Sequence, residues 1–223
     1  MYPKYIKRIF DFTICLVALI VLSPAIIIIA ILVKKKHGTP VLFVQNRPGK
    51  NEEIIKIYKF RTMTNERDSN SDLLPDDKRL TEFGRFLRST SMDELPELLN
   101  IIKGEMSLVG PRPQLIKDMV FMTSEQRLRH SIRPGLTGLA QVNGRNAICW
   151  EDKLEYDLQY LKKITLRGDI SIIFLTVKKV FQRSGISQEG MDTAEDLGDY
   201  LLSKNAITED DYIEKIKTAQ QIM

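Results

Sequence analysis

"FTICLVALIVLSPAIIIIAILV", residues 12 to 33, contains no charged residue. It reaches the roughly 20 apolar residues that the hydrocarbon core of a bilayer asks of a spanning helix. Both flanks are basic, with Lys4, Lys7 and Arg8 before it and Lys34, Lys35 and Lys36 after it. A secretory signal is disfavoured, because the run is too long and lysines stand where a small-residue cleavage site belongs. Basic flanks favour the cytoplasmic side of a membrane, so these pull both ends the same way. Ser23-Pro24 sits at the centre. Pro24 has no N–H for the Ile20 carbonyl, and its ring crowds that group, which predicts a kink. Ser23 is placed to bond back to the Leu19 carbonyl and soften the loss. Two readings stand on these residues alone: a kinked transmembrane helix, in which proline is tolerated, or a helix that enters one leaflet and returns.

The rest of the 223 residues suffices for one medium domain and an appendage. The net charge of +4 hides an asymmetry: residues 189 to 223 carry nine acids and three lysines, leaving the remainder at +10. A basic body suits anionic partners. Cys15 and Cys149 give no disulfide framework, and His37 and His130 match no metal spacing and read as surface or structural residues. Reduced cytosolic surroundings are the simplest reading.

After the apolar segment, "VLFVQNRPGKNEEIIKIYKF" (41–60) predicts two strands joined at Gly49 and Asn51. Residues 64 to 79 read as a polar surface loop, and "LVGPRPQ" (108–114) as extended, Pro-bounded chain. "MTSEQRLRHSI" (122–132), "WEDKLEYDLQYLKKI" (150–164) and "DISIIFLTVKKVFQRSG" (169–185) predict helices. "RPGLTGLAQVNGR" (133–145) reads as a glycine loop able to approach a phosphate, although it matches neither common nucleotide-binding glycine pattern. The acidic tail predicts two short helices, the second capped by Thr208 and Asp211.

"LRSTSMDELPELLN" (87–100) places two acids side by side, Asp93 and Glu94. Ser91 and Glu94 fit a capping box. Leu95, Leu98, Leu99 and Ile102 fall on one helical face. Pro96 leaves the start of the helix open: at Ser91 with a bend, or later, with the acids in the preceding turn. Basic residues cluster near turns and loops: Lys59, Arg61, Arg79, Arg85, Arg88, Arg112 between two prolines, Arg133 and Arg145. Guanidinium forks suit phosphate oxygens. A lone acid pair beside phosphate-suited cations at a membrane face suggests phosphoryl chemistry, with one carboxylate as nucleophile and its neighbour holding a divalent ion. Magnesium fits that donor set. A membrane-tethered module that binds anions without turnover is the alternative.

"KFRTM" (59–63), "LTEFGRFLRSTSMDELPELLNIIKGEMSLVGPRP" (80–113), "RPGLTGLAQVNGR" and the apolar "LSP" occur in one order that resembles the bacterial sugar transferases, monotopic polyprenyl-phosphate phosphoglycosyl transferases. The short form, with "NGRNAICWEDKLEYD" (143–157), is similar to the small PglC-type enzymes of protein N-glycosylation. The resemblance implies an α/β fold: residues 1–36 form a re-entrant membrane helix broken at Ser23-Pro24, and residues 37–188 form a small helix-rich catalytic domain with a short β-hairpin. The domain would lie on the cytoplasmic face of the bacterial inner membrane. Residues 189–223 resemble the SHOCT oligomerisation motif, which points to a homo-oligomer, while their charge points equally to a solvated appendage. The implied partners are a UDP-sugar, undecaprenyl phosphate and the membrane, with no nucleic acid. The implied reaction is the first membrane step of glycoconjugate synthesis, releasing UMP. Asp93 would be the nucleophile, Glu94 the Mg2+ ligand, and Lys59, Arg88, Arg112 and Arg145 the phosphate and nucleotide contacts. The implied sugar is a modified N-acetyl amino sugar such as N,N′-diacetylbacillosamine 1-phosphate, with galactose or glucose as the alternative. Glu105 in place of the usual aspartate and Leu139 in place of a frequent tryptophan are modest departures.

Overall fold

The computed structural model describes residues 2–144, 148–182 and 195–222; Arg145 and the expected 188/189 domain boundary lie outside them. A π-helical turn, Tyr2–Ile6, leads into α1, Lys7–His37, a single helical element with Pro24 inside it. Among the described residues α1 is the one helix long and apolar enough to cross a membrane, with mean hydropathy 3.2 over its most apolar window. Ser23 Oγ donates to the Ile20 carbonyl at 2.8 Å, not to the expected Leu19. That choice follows from Pro24, because Ile20 is the carbonyl the missing proline N–H leaves without a partner.

Both ends of α1 are tied to the same folded body. At the start, Lys7 Nζ meets Asp169 at 2.6 Å, and the Arg8 guanidinium donates to the Ile101 and Ile102 carbonyls at 2.5 and 2.7 Å. Ser107 Oγ donates to Asp11 at 2.6 Å. At the far end, His37 Nδ1 donates to the Arg61 carbonyl at 3.0 Å and Nε2 lies 2.7 Å from Thr81 Oγ1. Between these anchors, Cys15 packs with Ile57, Leu98 and Ile101, and Ile29 and Val33 pack with Phe60 and Leu87. His37 and His130 are therefore buried structural residues, and the surface alternative for them is wrong.

The expected hairpin forms from β1, Leu42–Pro48, and β2, Ile54–Phe60, with Leu42 opposite Phe60 and Pro48 opposite Ile54. Its turn runs through Gly49 and Asn51, whose φ of 54° is the left-handed conformation asparagine tolerates. The polar stretch after it ends in a short helix, α2, Asp76–Arg79. Then come α3, Glu82–Ser89, capped by Thr81, and α4, Glu97–Lys103. A second, parallel pair joins β3, Ser107–Val109, to a later strand. Between them lie α5, Ile116–Met119, and α6, Ser124–Arg127, which continues as a 3-10 turn to Ser131.

The glycine segment is not a loop: it forms β4, Gly135–Thr137, and α7, Leu139–Asn143. Its glycines allow backbones to touch. A Cβ on Gly135 would lie 2.1 Å from Gly110 N, and one on Gly138 2.1 Å from Gly110 O. The loop gives way to a close strand pairing that only glycine fits, while Leu136, Thr137, Ala140, Gln141 and Val142 of the same segment line the large cleft. α8, Trp150–Lys162, and α9, Leu166–Gln182, follow as expected. Buried Asp169 on α9 accepts from Tyr2, Lys7 and Tyr160, joining α8 and α9 to the start of α1. The tail forms α10, Leu197–Ser203, and α11, Glu209–Ile222, with the Thr208–Asp211 cap in place.

Candidate active site

Asp93 and Glu94 sit in a 3-10 turn, Met92–Glu94, ahead of α4. The expected capping box is absent. Ser91 lies in the left-handed region, φ 55°, and its side chain caps nothing. Pro96 is the cap residue of α4, so its missing N–H costs no helical bond there. The later of the two expected helix starts is the one realised. The buried face of α4 is also shifted: Glu97, Leu98, Asn100 and Ile101 point inward and Leu99 outward. Asn100 explains the rotation, since its amide donates to the Lys56 carbonyl and accepts from Tyr58 N–H, bonding α4 to β2.

This turn faces a cleft of about 1160 Å³ that also takes in Lys59, Arg88 and Arg112. Glu94 Oε1 accepts from Lys59 Nζ at 2.7 Å and from Arg112 Nη2 at 2.5 Å. Burial alone would raise the Glu94 pKa, but these two cations hold it well below the usual carboxylate range. In return Glu94 holds the Arg112 guanidinium more firmly protonated. Asp93 differs. It is 8% exposed, and among the described residues it makes no ion pair or side-chain hydrogen bond. Burial, then the charge of Glu94, pushes its pKa up to about 6. The pair therefore divides into one carboxylate fixed by cations and one bare carboxylate facing the cleft.

Arg88 Nε donates to Thr62 Oγ1 at 3.1 Å, and both residues line the cleft. Of the other basic residues, Arg61 is buried and donates to the Pro40 and Met63 carbonyls, a structural role. Arg79 pairs with Asp76. Arg133 donates to the Gly104 carbonyl, away from the cleft.

Sequence reasoning missed three contributors. Glu97, 2% exposed, lies 3.1 Å from Lys59, and burial pushes its pKa up to about 6. Its spacing three residues after Glu94 was the available signal. Arg47 on β1 lines the cleft and donates to the Pro113 carbonyl at 3.4 Å. Arg129 braces Arg112 from behind, donating to the Arg112 carbonyl at 2.6 Å while pairing with buried Asp157 at 2.6 Å. Neither arginine carries a local pattern that marks it.

Two hard carboxylate sources face a cleft rich in cations, and both cation contacts of Glu94 fall on Oε1. Glu94 Oε2 is the carboxylate oxygen that could hold a magnesium ion completed by phosphate oxygens and water, although no cluster of three acidic, histidine or cysteine ligands lies among the described residues.

Residues 2–183 match the family described as bacterial sugar transferase. The chain is 48% identical to the uncharacterised sugar transferase EpsL of Bacillus subtilis over 190 residues, 85% of this chain and 94% of that protein. It is 40% identical over 185 residues to the UDP-glucose:undecaprenyl-phosphate glucose-1-phosphate transferase of Klebsiella pneumoniae, 78% of this chain and 40% of that one. It is 36% identical over 199 residues to the undecaprenyl-phosphate galactose phosphotransferase of Salmonella typhimurium, 82% of this chain. This chain spans about two fifths of the length of the last two, 40% and 42%.

Proposed function

The chain belongs to the bacterial sugar transferase family, and from that premise we propose that it moves a sugar 1-phosphate from a UDP-sugar to undecaprenyl phosphate, releasing UMP. The observation that carries this reading is the bare Asp93 carboxylate beside a Glu94 held by Lys59 and Arg112 in one cleft. An Asp93 oxygen attacks the sugar-proximal phosphorus as the bond to the UMP oxygen breaks, giving an aspartyl phosphosugar. An oxygen of the lipid phosphate then attacks the same phosphorus, and Asp93 leaves as a carboxylate. Lys59, Arg88 and Arg112 neutralise the diphosphate and hold it in line, the positioning on which phosphoryl transfer depends. Bound Mg2+, held through Glu94, would supply further neutralisation of developing charge.

A UDP-glucose- or UDP-galactose-type donor stands at least level with the amino sugar. Two named relatives carry glucose and galactose in their descriptions, which supports that choice beside N,N′-diacetylbacillosamine, while the description of EpsL names no sugar.

We read α1 as re-entrant, with the catalytic body on the cytoplasmic face. A straight helix of its 31 residues is about 46 Å long, more than the roughly 30 Å hydrocarbon core. A plain crossing would separate its ends by a bilayer, whereas both ends bond to one body, at Asp169 and at Arg61 and Thr81. Basic flanks support the same placement.

The test is a lipid-free incubation of purified chain with labelled UDP-glucose or UDP-galactose and Mg2+. A phosphosugar adduct on Asp93 with stoichiometric UMP is expected. UMP that appears only with lipid, and no adduct, refutes the covalent route.

A further inference from the structure

The C-terminal helices lie beyond the family match, which ends at residue 183, yet the body is shaped to receive them. Asp118 of α5 is almost fully buried; one oxygen accepts Leu115 N–H at 3.0 Å and the other accepts Leu197 N–H at 2.9 Å. Trp150 Nε1 donates to the Glu195 carbonyl at 3.0 Å, and Lys215 Nζ to the Val120 carbonyl at 2.9 Å. Leu197 packs in one cluster with Phe121, Met122, Trp150 and Leu154, and Ala219 packs with Ile116 and Met119. Without α10, a buried carboxylate oxygen loses its hydrogen bond, a costly vacancy. Part of the apolar face of these two helices, Leu197 and Ala219, packs within this chain, while Ile213 and Ile222 of α11 stay exposed.

Docking delivers one acid to the cleft. Asp196 precedes α10, but its side chain does not cap that helix. Instead its carboxylate pairs with Lys117, and both residues line the cleft that holds Asp93 and Glu94. Arg47 connects the two regions. Burial, then repulsion from Arg112, lowers its pKa to about 10, and Asp118, Glu97 and Asp196 oppose that fall. Asp196 thus acts within the same field as the Arg112–Glu94 pair, from an element outside the family match.

We propose that Asp196, supplied by the C-terminal appendage, is a donor-selecting residue of the cleft, working with Lys117. This rests on the sugar 1-phosphate transfer reading. The carboxylate accepts from a hydroxyl or amide N–H of the nucleotide-sugar, and the ammonium donates to a carbonyl or hydroxyl oxygen. A site built to hydrogen-bond a substrate group rejects analogues that lack it far more strongly than an apolar wall does. Sugars that differ in one hydroxyl or acetamido group are the class that such a pair separates.

The experiment uses the full chain in detergent with undecaprenyl phosphate, Mg2+ and four donors: UDP-glucose, UDP-galactose, UDP-N-acetylglucosamine and UDP-N,N′-diacetylbacillosamine. kcat/KM is measured for the unchanged chain, Asp196→Ala, Asp196→Asn and the exposed control Asp210→Ala. The expected result is that Asp196→Ala shifts the ratio of kcat/KM between the best and second-best donors by about tenfold or more, while Asp210→Ala leaves it unchanged. Asp196→Asn, close in shape, serves if the alanine variant fails to fold by thermal melt. Equal loss across all donors, or no change, overturns the proposal. No transfer by the unchanged chain with any donor refutes the transferase reading itself, and this inference with it.

Discussion

Replacing Asp93 by asparagine should abolish turnover and make the protein more stable at alkaline pH. The carboxylate pKa is raised from 3.8 to about 6, first by burial and then by Glu94. That is about 2 units, or about 3 kcal/mol at roughly 1.4 kcal/mol per unit. The direction follows from proton linkage: between pH 4 and 6 the folded state binds more protons at this site than the unfolded state, so stability falls as pH rises through that window. Above pH 6 the folded protein carries the full net penalty of a buried charge, which the charges of Lys59, Arg112 and Arg88 offset only in part. Asparagine keeps the volume and removes the charge. Its amide occupies a position with no side-chain hydrogen bond among the described residues and forfeits part of the gain, leaving about 1–2 kcal/mol, or roughly 2–8 °C in Tm for a chain of this size. Differential scanning fluorimetry in detergent at pH 8 and pH 4 reads the effect. Asp93→Asn should melt higher at pH 8 and together with the unchanged protein at pH 4, while turnover falls on the order of 10⁴-fold or more, as for loss of a covalent nucleophile. A variant that melts lower at pH 8, or that keeps turnover, refutes the assignment of Asp93 as a destabilised nucleophile.

Other outcomes follow from the same geometry. kcat/KM should rise with pH through about 6 and then level, since Asp93 must be ionised to attack; a profile flat from pH 5 to 8 contradicts this. Arg129→Ala should cost about 3–5 kcal/mol by stranding buried Asp157, and should raise KM for the donor by loosening Arg112; urea unfolding and initial rates measure both. Gly135→Ala should lower stability by a few kcal/mol, since its Cβ would meet Gly110 N at 2.1 Å, with thermal melts as the check. Removing divalent metal with EDTA should abolish UMP release, and added Mg2+ should restore it; undiminished release after chelation argues against a metal at Glu94.

Much was legible in the chain because it depends on near neighbours. A 22-residue apolar run with basic ends forms one helix long and apolar enough to cross a membrane, as its composition and length foretell. Alternation around Gly49 and Asn51 forms the hairpin, and Thr208 caps α11 with Asp211 as read. The acid pair stood out because its context is local.

Tertiary structure decided the rest, because contacts distant along the chain outweighed local preference. Ser91 and Glu94 fit a capping box, but Glu94 is claimed by Lys59 from β2 and Arg112 from the loop after β3, and Ser91 turns left-handed to leave the acids ahead of α4. The glycines after Arg133 read as freedom, yet they permit a parallel strand crossing with Gly110, 25 residues earlier than Gly135. Asp93 and Glu94 are adjacent and chemically similar. Only the fold, by bonding cations directly to one and burying the other with no ion pair among the described residues, separates them into a carboxylate held well below the usual range and one pushed up to about 6.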